Sequence, residues 1–495
     1  MRFKDNLAKT VLVASLTATT SLQLSPSRAA ALDFGVQVEE MLKANAPELF
    51  GIEKPLEASA PPTDSPYRTP DQSAADQVLL AEGLTVEYLT RQAGDLTDMM
   101  AFFPADNPTH LITCVEGGRE VIDEDGKLNP AVQRIHLSTG QVHTILRGME
   151  RCDGIRTAPW GTILATEETE DGGVYEILDP LTTTEQSVLD RATGQVSDPN
   201  HIAKRSALPS MRWEGFFVLP SGVVIGGDEL RPGDREDANG DKIPDSDGGA
   251  IFKFVPQTPR TGSDPITSLD DSPLIAGAVY AMQVSCFGDE DEQQFGQGCE
   301  VGNAAWIPVN ATTARADADA NGATGYYRPE DLHQDPQFAD AANPDAVRFC
   351  WTNTQNEDAQ SFAEVVCAID ATPLTAAADQ RTVVVNRFVE GDTDFNSFDN
   401  LDFQPVTGNL YVVEDHDNGD IFACLPDGAD RDNKTDGCVK VISVKDSSAE
   451  PTGFIFDATG TTAYLSIQHS DDDLMPLVDD YPTDDVLKIT GFKVQ

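Results

Sequence analysis

Basic residues are scarce in this chain. Its 495 residues hold 34 Lys and Arg against 83 Asp and Glu, a formal net charge of −49. Such a field repels nucleic acid and anionic membrane surfaces, which excludes both as natural partners. No run beyond the N-terminus approaches the ~20 apolar residues of a spanning helix, so no membrane span is expected. There are eight cysteines and no C-x-x-C pair, which argues against a zinc ribbon or a thioredoxin-type site. Histidine is sparse as well, at seven residues, and no HExxH occurs. Nor is there a GxSxG elbow, a P-loop or a GxGxxG, so serine-hydrolase, NTPase and Rossmann chemistry find no support. Beyond about Val78 the helical signal largely stops.

The rest of the composition is that of a globular protein, 40% hydrophobic, and the length suits one large all-β domain. Arg2, Lys4 and Lys9 precede a mostly apolar and small-residue stretch, and Ala29-Ala30-Ala31 supplies a cleavage site. Residues 1–31 therefore read as an export signal, without a twin-arginine pair, and the mature protein is expected in the periplasm or outside the cell. Residues 32–77 read as an extension, with an amphipathic helix over Phe34 to Ala44 and a Pro-rich linker from Pro55 to Pro70. An exported chain with an even number of cysteines implies disulfides. Local spacing suggests Cys286 with Cys299, Cys350 with Cys367 and Cys424 with Cys438, leaving Cys114 and Cys152 to pair across neighbouring elements, although spacing alone does not fix connectivity.

Over 78–495 one design recurs. HLITCVEG, GTILATEE, GVVIGGDE, VRFCWTNT, GNLYVVED and TTAYLSIQH are short apolar strands, most of them followed by a polar loop and a second strand. Repetition at about 50 to 60 residues predicts an all-β, six-bladed β-propeller with large loops at one rim. The longer gap between the third and fourth signatures predicts an insertion, roughly Gln257 to Pro344. In this reading the repeats are inner strands whose acidic ends meet at one channel mouth.

Those acids are the candidate chemistry. Glu167 and Glu168, Asp228 and Glu229, and Glu414 and Asp415 end strands; Glu214, Glu330, Asp331, Asp399, Asp402 and Glu450 begin blades. A single such acid is ordinarily a solvated turn residue. A shared position in every repeat points instead to oxygen ligation of divalent cations, calcium or magnesium before zinc. A saline habitat accounts for the net charge as readily. A second candidate is the run from Asp237 to Asp247, where Asp237, Asn239, Asp241 and Asp245 alternate around Gly240 like a calcium loop, but Gly248 stands where a bidentate Glu belongs. Asp317-Ala-Asp319-Ala-Asn321-Gly322 is a weaker match. Arg212 and Arg328 sit beside these acids; each suits a salt bridge or an anionic substrate such as phosphate. His416 and His469 fall at repeat ends.

PWGTILATEE, RWEGFFVLPSGVVIGGDEL, GAIFKFV, YRPED, FDNLDFQPVTGNLYVVED and EPTGFIFDATGTTAYLSIQH, in this order, resemble the signatures of PhoX-type alkaline phosphatases. The resemblance runs from about Cys152 to His469. It implies a six-bladed propeller that carries calcium and iron and releases phosphate from phosphomonoesters outside the cytoplasm. It also implies that Glu214, Asp228, Glu330, Asp399 and Glu450 are metal-site acids and that Arg328 contacts phosphate. The family's TCEE, with an iron-binding Cys, reads Ala165-Thr166-Glu167-Glu168 here, and Trp213 stands where His is common. A Thr hydroxyl cannot replace a thiolate on iron, so calcium is the expected ion and Thr166 is where the inherited catalysis departs. Three readings follow. The first is a secreted PhoX-type phosphatase acting on a phosphorylated small molecule. The alternatives are a non-catalytic calcium-binding propeller with a structural or surface role, and another propeller hydrolase such as a lactonase or phosphodiesterase.

Overall fold

The computed structural model describes residues 34–64, 67–232, 248–287, 293–295, 299–355, 362–426, 437–470 and 474–494. The predicted export signal over 1–31 and the calcium-loop candidates Asp237, Asn239, Asp241 and Asp245 lie outside the described residues. Short alternating segments bounded by Gly, Asp and Asn form strands, as β-branched and aromatic residues on a half-buried pleat favour. These strands make five sheets in a propeller-like arrangement. Four sheets have four to six strands, and the fifth has ten.

Six strands lie at the centre: Thr97–Phe103, Cys152–Thr157, Trp213–Val218, Pro329–Gln334, Phe398–Phe403 and Glu450–Phe456. Each packs against the next around a ring, and the sixth packs against the first. The ring is closed in sequence by the N-terminal strand Thr85–Gly94, which pairs antiparallel with the C-terminal strand Thr483–Thr490. The apolar core is split accordingly into clusters between neighbouring sheets. Ile112, Ile145 and Ile155 meet between the first two, for example, and Tyr411, Val413 and Leu465 between the last two. Burial in such layers is what the alternation of each strand provides, one face toward each neighbour.

The recurring signatures are not the innermost strands. His110–Val115, Ile163–Glu167, Val224–Asp228, Val347–Asn353, Leu410–Glu414 and Thr462–Gln468 each lie second from the centre, paired antiparallel with a central strand. The central strands are harder to see in the sequence because they carry acids and glycines where a buried strand would carry Val or Ile. Two of those glycines permit the ring to close. A Cβ at Gly154 would lie 2.0 Å from the Glu214 carbonyl oxygen, and one at Gly215 would lie 1.9 Å from the Leu332 nitrogen.

The stretch expected as an insertion is a long hairpin, Gly277–Phe287 with Gly302–Val309, followed by the helix Ala314–Ala320. Its second arm pairs with Val383–Glu390 and so fuses what would be two sheets into the ten-stranded one. The predicted helix Phe34–Ala44 is present and seats Leu42 beside Val439. All eight cysteines pair, as Cys114–Cys152, Cys286–Cys299, Cys350–Cys367 and Cys424–Cys438. Among the described residues no helix is long and apolar enough to cross a membrane.

Candidate metal centre

The same local design builds the site in every sheet. The first residue of each central strand pairs with the last residue of the second strand: Thr97 with Val115, Cys152 with Glu167, Trp213 with Asp228, Pro329 with Asn353, Phe398 with Glu414 and Glu450 with Gln468. Each pairing is then interrupted by a register shift within the next residues. Such bulges bend a strand and re-aim its side chains. The re-aimed residues are acids. Asp98, Asp153, Glu214, Glu330 and Asp399 are each the second residue of a central strand, and Glu450 is the first of its own. A second tier comes from the residue directly after each second strand: Glu116, Glu168, Glu229, Thr354, Asp415 and His469.

All six first-tier acids line one cavity of about 130 Å³, with Glu116, Glu168, Asp415 and His469 from the second tier and with Gln468, Arg151 and Arg328. Three overlapping triads bring carboxylate oxygens within 4.8 Å of one another: Asp98–Glu116–Asp153, Asp153–Glu168–Glu214 and Glu214–Glu330–Asp399. Burial, then the neighbouring carboxylates, pushes Asp98, Asp153, Glu168, Glu214 and Asp399 well above the usual carboxylate range. Glu330 is raised by burial even though Arg328 opposes it. So many buried carboxyls cannot all ionise without a counter-charge. Asp153, which lines the cavity, has a buried Oδ1 acceptor with no hydrogen-bond partner. No thiolate is available, since every cysteine is in a disulfide. The donors are oxygens, which suits a hard divalent cation.

Two arginines and one histidine stand at the cavity wall. Arg328 Nε lies 2.7 Å from Glu229 Oε1, its Nη2 3.0 Å from Glu330 Oε1 and its Nη1 3.2 Å from Asp415 Oδ2. Arg151 Nε donates to Glu168 Oε2 at 2.7 Å, and its Nη2 pairs with Glu116. His469 Nε2 lies 3.0 Å from Glu450 Oε1. That hydrogen bond holds the imidazole up at about 9, while burial lifts Glu450 to about 7, so the pair keeps a proton at neutral pH. Below the acids, Asp331 is bound by Arg156 at 2.7 Å and by His333 at 3.0 Å. His333 also reaches Asp402, at 3.4 Å.

Of the residues singled out in the sequence, Glu168, Glu214, Glu330, Asp399, Asp415, Glu450, His469 and Arg328 come together in the cavity. Glu167, Asp228 and Thr166 do not line it. In the pair Glu167–Glu168 successive side chains point to opposite faces, and only Glu168 lines the cavity; Glu229 instead binds Arg328 and Arg212. Glu167 instead meets Arg191 Nε at 2.7 Å and the Glu150 amide at 3.1 Å. Asp228 Oδ2 accepts from Arg315 Nε at 2.8 Å. The buried Thr166 hydroxyl donates to the Gly154 carbonyl at 3.0 Å. Asp98, Glu116 and Asp153 are absent from the sequence-derived set. Their signal was the frame TD, CD, WE, PE and FD at the start of five of the six central strands, which shows only once those strands are known.

Residues 241–471 match the family model of the alkaline phosphatase PhoX. The matched region carries Arg328, Glu330, Asp399, Glu450 and His469. Comparison with curated proteins yields no match. Among solved structures, a luciferin-regenerating enzyme is similar at 9% identity and TM-score 0.41 over 83% of this chain and 97% of that one. A gluconolactonase from Xanthomonas campestris is similar at 12% identity and TM-score 0.34, over 88% of this chain and 98% of that one. An aldose sugar dehydrogenase from Streptomyces coelicolor is similar at 11% identity and TM-score 0.34, over 83% and 100%. Over residues 241–471 the chain is thus similar to the alkaline phosphatase PhoX.

Proposed function

We propose that this protein is an exported, calcium-dependent phosphatase of PhoX type that hydrolyses phosphomonoesters at the acid-lined cavity. The observation that carries this reading is the equivalent placement of Asp98, Asp153, Glu214, Glu330, Asp399 and Glu450 at the starts of six central strands around one cavity. The same repetition supports a count of six blades. The ten-stranded sheet is then two blades joined by the hairpin, its halves packed together by Phe217 and Phe349 with ring centroids 5.5 Å apart. The cysteines, all paired, suit an oxidising compartment outside the cytoplasm.

The three triads would hold the cations, with Asp153 and Glu214 each shared between two triads. A bound divalent cation supplies charge neutralisation and polarises phosphoryl oxygens. The chain's own groups do the rest. Arg328, fixed by three carboxylates, presents a planar fork that matches a phosphate edge and offsets the charge that develops on the transferring phosphoryl group. The protonated His469–Glu450 pair stands at the wall as a proton source for a leaving alkoxide. The other first-tier acids, Asp98, Asp153, Glu214, Glu330 and Asp399, act as ligands, not as proton carriers.

Turnover of p-nitrophenyl phosphate is expected with calcium and is lost on chelation. Absence of turnover in every metal condition would remove the phosphatase assignment. One observation favours a second reading, a non-catalytic calcium-binding propeller: the Thr166 hydroxyl is already spent on Gly154, so the family's iron position offers no free ligand. That reading expects a calcium-dependent rise in melting temperature with no phosphate binding.

A further inference from the structure

Three successive central strands are each directly preceded by an arginine: Arg151 before Cys152, Arg212 before Trp213 and Arg328 before Pro329. Arg212 turns to the rim, 3.0 Å from Glu229 and 3.5 Å from Glu170, and does not line the cavity. Arg151 and Arg328 both do. They share a left-handed backbone, with φ of 51° and 53°, which turns each side chain out of the strand frame and over the acids. Each bridges second-tier acids of two sheets: Arg328 joins Glu229 to Asp415, and Arg151 joins Glu116 to Glu168. The difference is access. The Arg151 side chain is 48% exposed and that of Arg328 is 16% exposed.

We propose that Arg151 is a second anion-gripping residue of this site, released for that role by cation binding. The inference rests on the metal-dependent phosphatase reading. Glu116 and Glu168 belong to two of the triads that would hold cations, and both triads contain Asp153. In the cation-free protein the Arg151 guanidinium is the counter-charge of these two carboxylates. A divalent cation seated on the same oxygens takes over that neutralisation, and the two positive groups repel at contact distance. The Arg151 fork then leaves the carboxylates, and its parallel N–H donors face the cavity opening. There they hold two phosphoryl oxygens, of a phosphomonoester or of inorganic phosphate. Arg151 and the cation thus compete for carboxylates but cooperate on the anion, a sign pattern that a purely structural arginine does not give.

The test is calorimetric titration of calcium into wild type, Arg151→Gln and Arg151→Lys, followed by inorganic phosphate into each calcium-loaded protein. Arg151→Gln is expected to bind calcium on the order of tenfold more tightly and phosphate on the order of tenfold more weakly. Arg151→Lys keeps the charge on Glu116 and Glu168, so its calcium affinity stays at the wild-type level while phosphate affinity falls. Should Arg151→Gln not fold, weakened phosphate binding by Arg151→Lys supports the proposal and unchanged binding overturns it. Equal or weaker calcium binding by a folded Arg151→Gln, with wild type binding calcium normally, overturns the Arg151 role alone. A wild type that binds no calcium overturns this inference together with the metal-dependent reading.

Discussion

Arg191 Nε lies 2.7 Å from Glu167 Oε1, and this ion pair turns the first acid of the Glu167–Glu168 sequence away from the cavity. Glu167 is fully buried and also accepts from the Glu150 and Gly173 amides, at 3.1 and 3.3 Å. Replacing it by Ala leaves Arg191 and two amides without their acceptor, at a cost of about 2–3 kcal/mol. Glu167→Ala is therefore expected to lower the denaturant midpoint and leave calcium affinity at the wild-type value. Glu168→Gln is expected to do the opposite, weakening calcium binding with a smaller effect on folding. Chemical denaturation and calcium calorimetry of the two variants separate the roles.

Cation-free protein is expected to lose stability as pH rises. Burial lifts Glu450 from its ordinary 4.5 to about 7, and lifts Asp98, Asp153, Glu214 and Asp399 in the same direction. A carboxyl raised by folding binds more protons in the native state than in the unfolded one. Its contribution is complete below the unfolded value and vanishes as pH climbs through the folded value. Glu229 has the reverse sign: although burial would raise it, Arg328 above all, with Arg212, holds it at about 2, so its contribution is present above its ordinary 4.5 and is lost as pH falls from there through about 2. Melting temperatures in chelator should fall from about pH 4.5 through pH 7, and calcium should remove that fall. A flat profile in chelator would contradict the account.

The disulfide Cys114–Cys152 joins a second strand of one sheet to the central strand of the next. Cys152 adjoins both Arg151 and Asp153, and Cys114 lies two residues before Glu116. Closing a loop of 38 residues contributes roughly 2–4 kcal/mol. A Cys114→Ser/Cys152→Ser variant should lose that much in denaturant and also bind calcium less tightly, because two ligands of one triad lose their common tether. The Cys424→Ser/Cys438→Ser variant, whose bridge spans two outer strands, should lose stability without a change in calcium affinity.

Elemental analysis of protein purified without added metal is expected to find calcium and no stoichiometric iron. The cavity offers carboxylates and one imidazole held by Glu450, and the hydroxyl of Thr166 is engaged by Gly154. Iron at one equivalent would overturn the oxygen-donor account.

Arg328→Lys replaces a planar fork with a point charge. It is expected to raise KM for p-nitrophenyl phosphate by about tenfold or more while the protein retains its calcium. Loss of calcium in this variant would mean that Arg328 supports the acids and not the anion.

The amino-acid order alone determined the all-β class of the fold and pointed to carboxylates as the candidate ligands. Alternating apolar segments repeated between polar turns can bury their faces only against neighbours of the same kind, so GTILATEE and its relatives imply a ring of sheets. The excess of carboxylates, with every cysteine committed to a disulfide, leaves oxygen as the ligand type. Glu214, Glu330, Asp399 and Glu450 were legible because each begins a motif with aromatic or proline neighbours. Tertiary structure decided which acid of each pair faces the centre, since register and pleat set that, not residue identity. It placed Glu168 inside and Glu167 outside. It also brought in Asp98 and Asp153, whose strands are not marked as central until the bulges and the close approach at Gly154 are seen. The central position of a strand is a relation among six distant segments, and no local stretch of sequence records it.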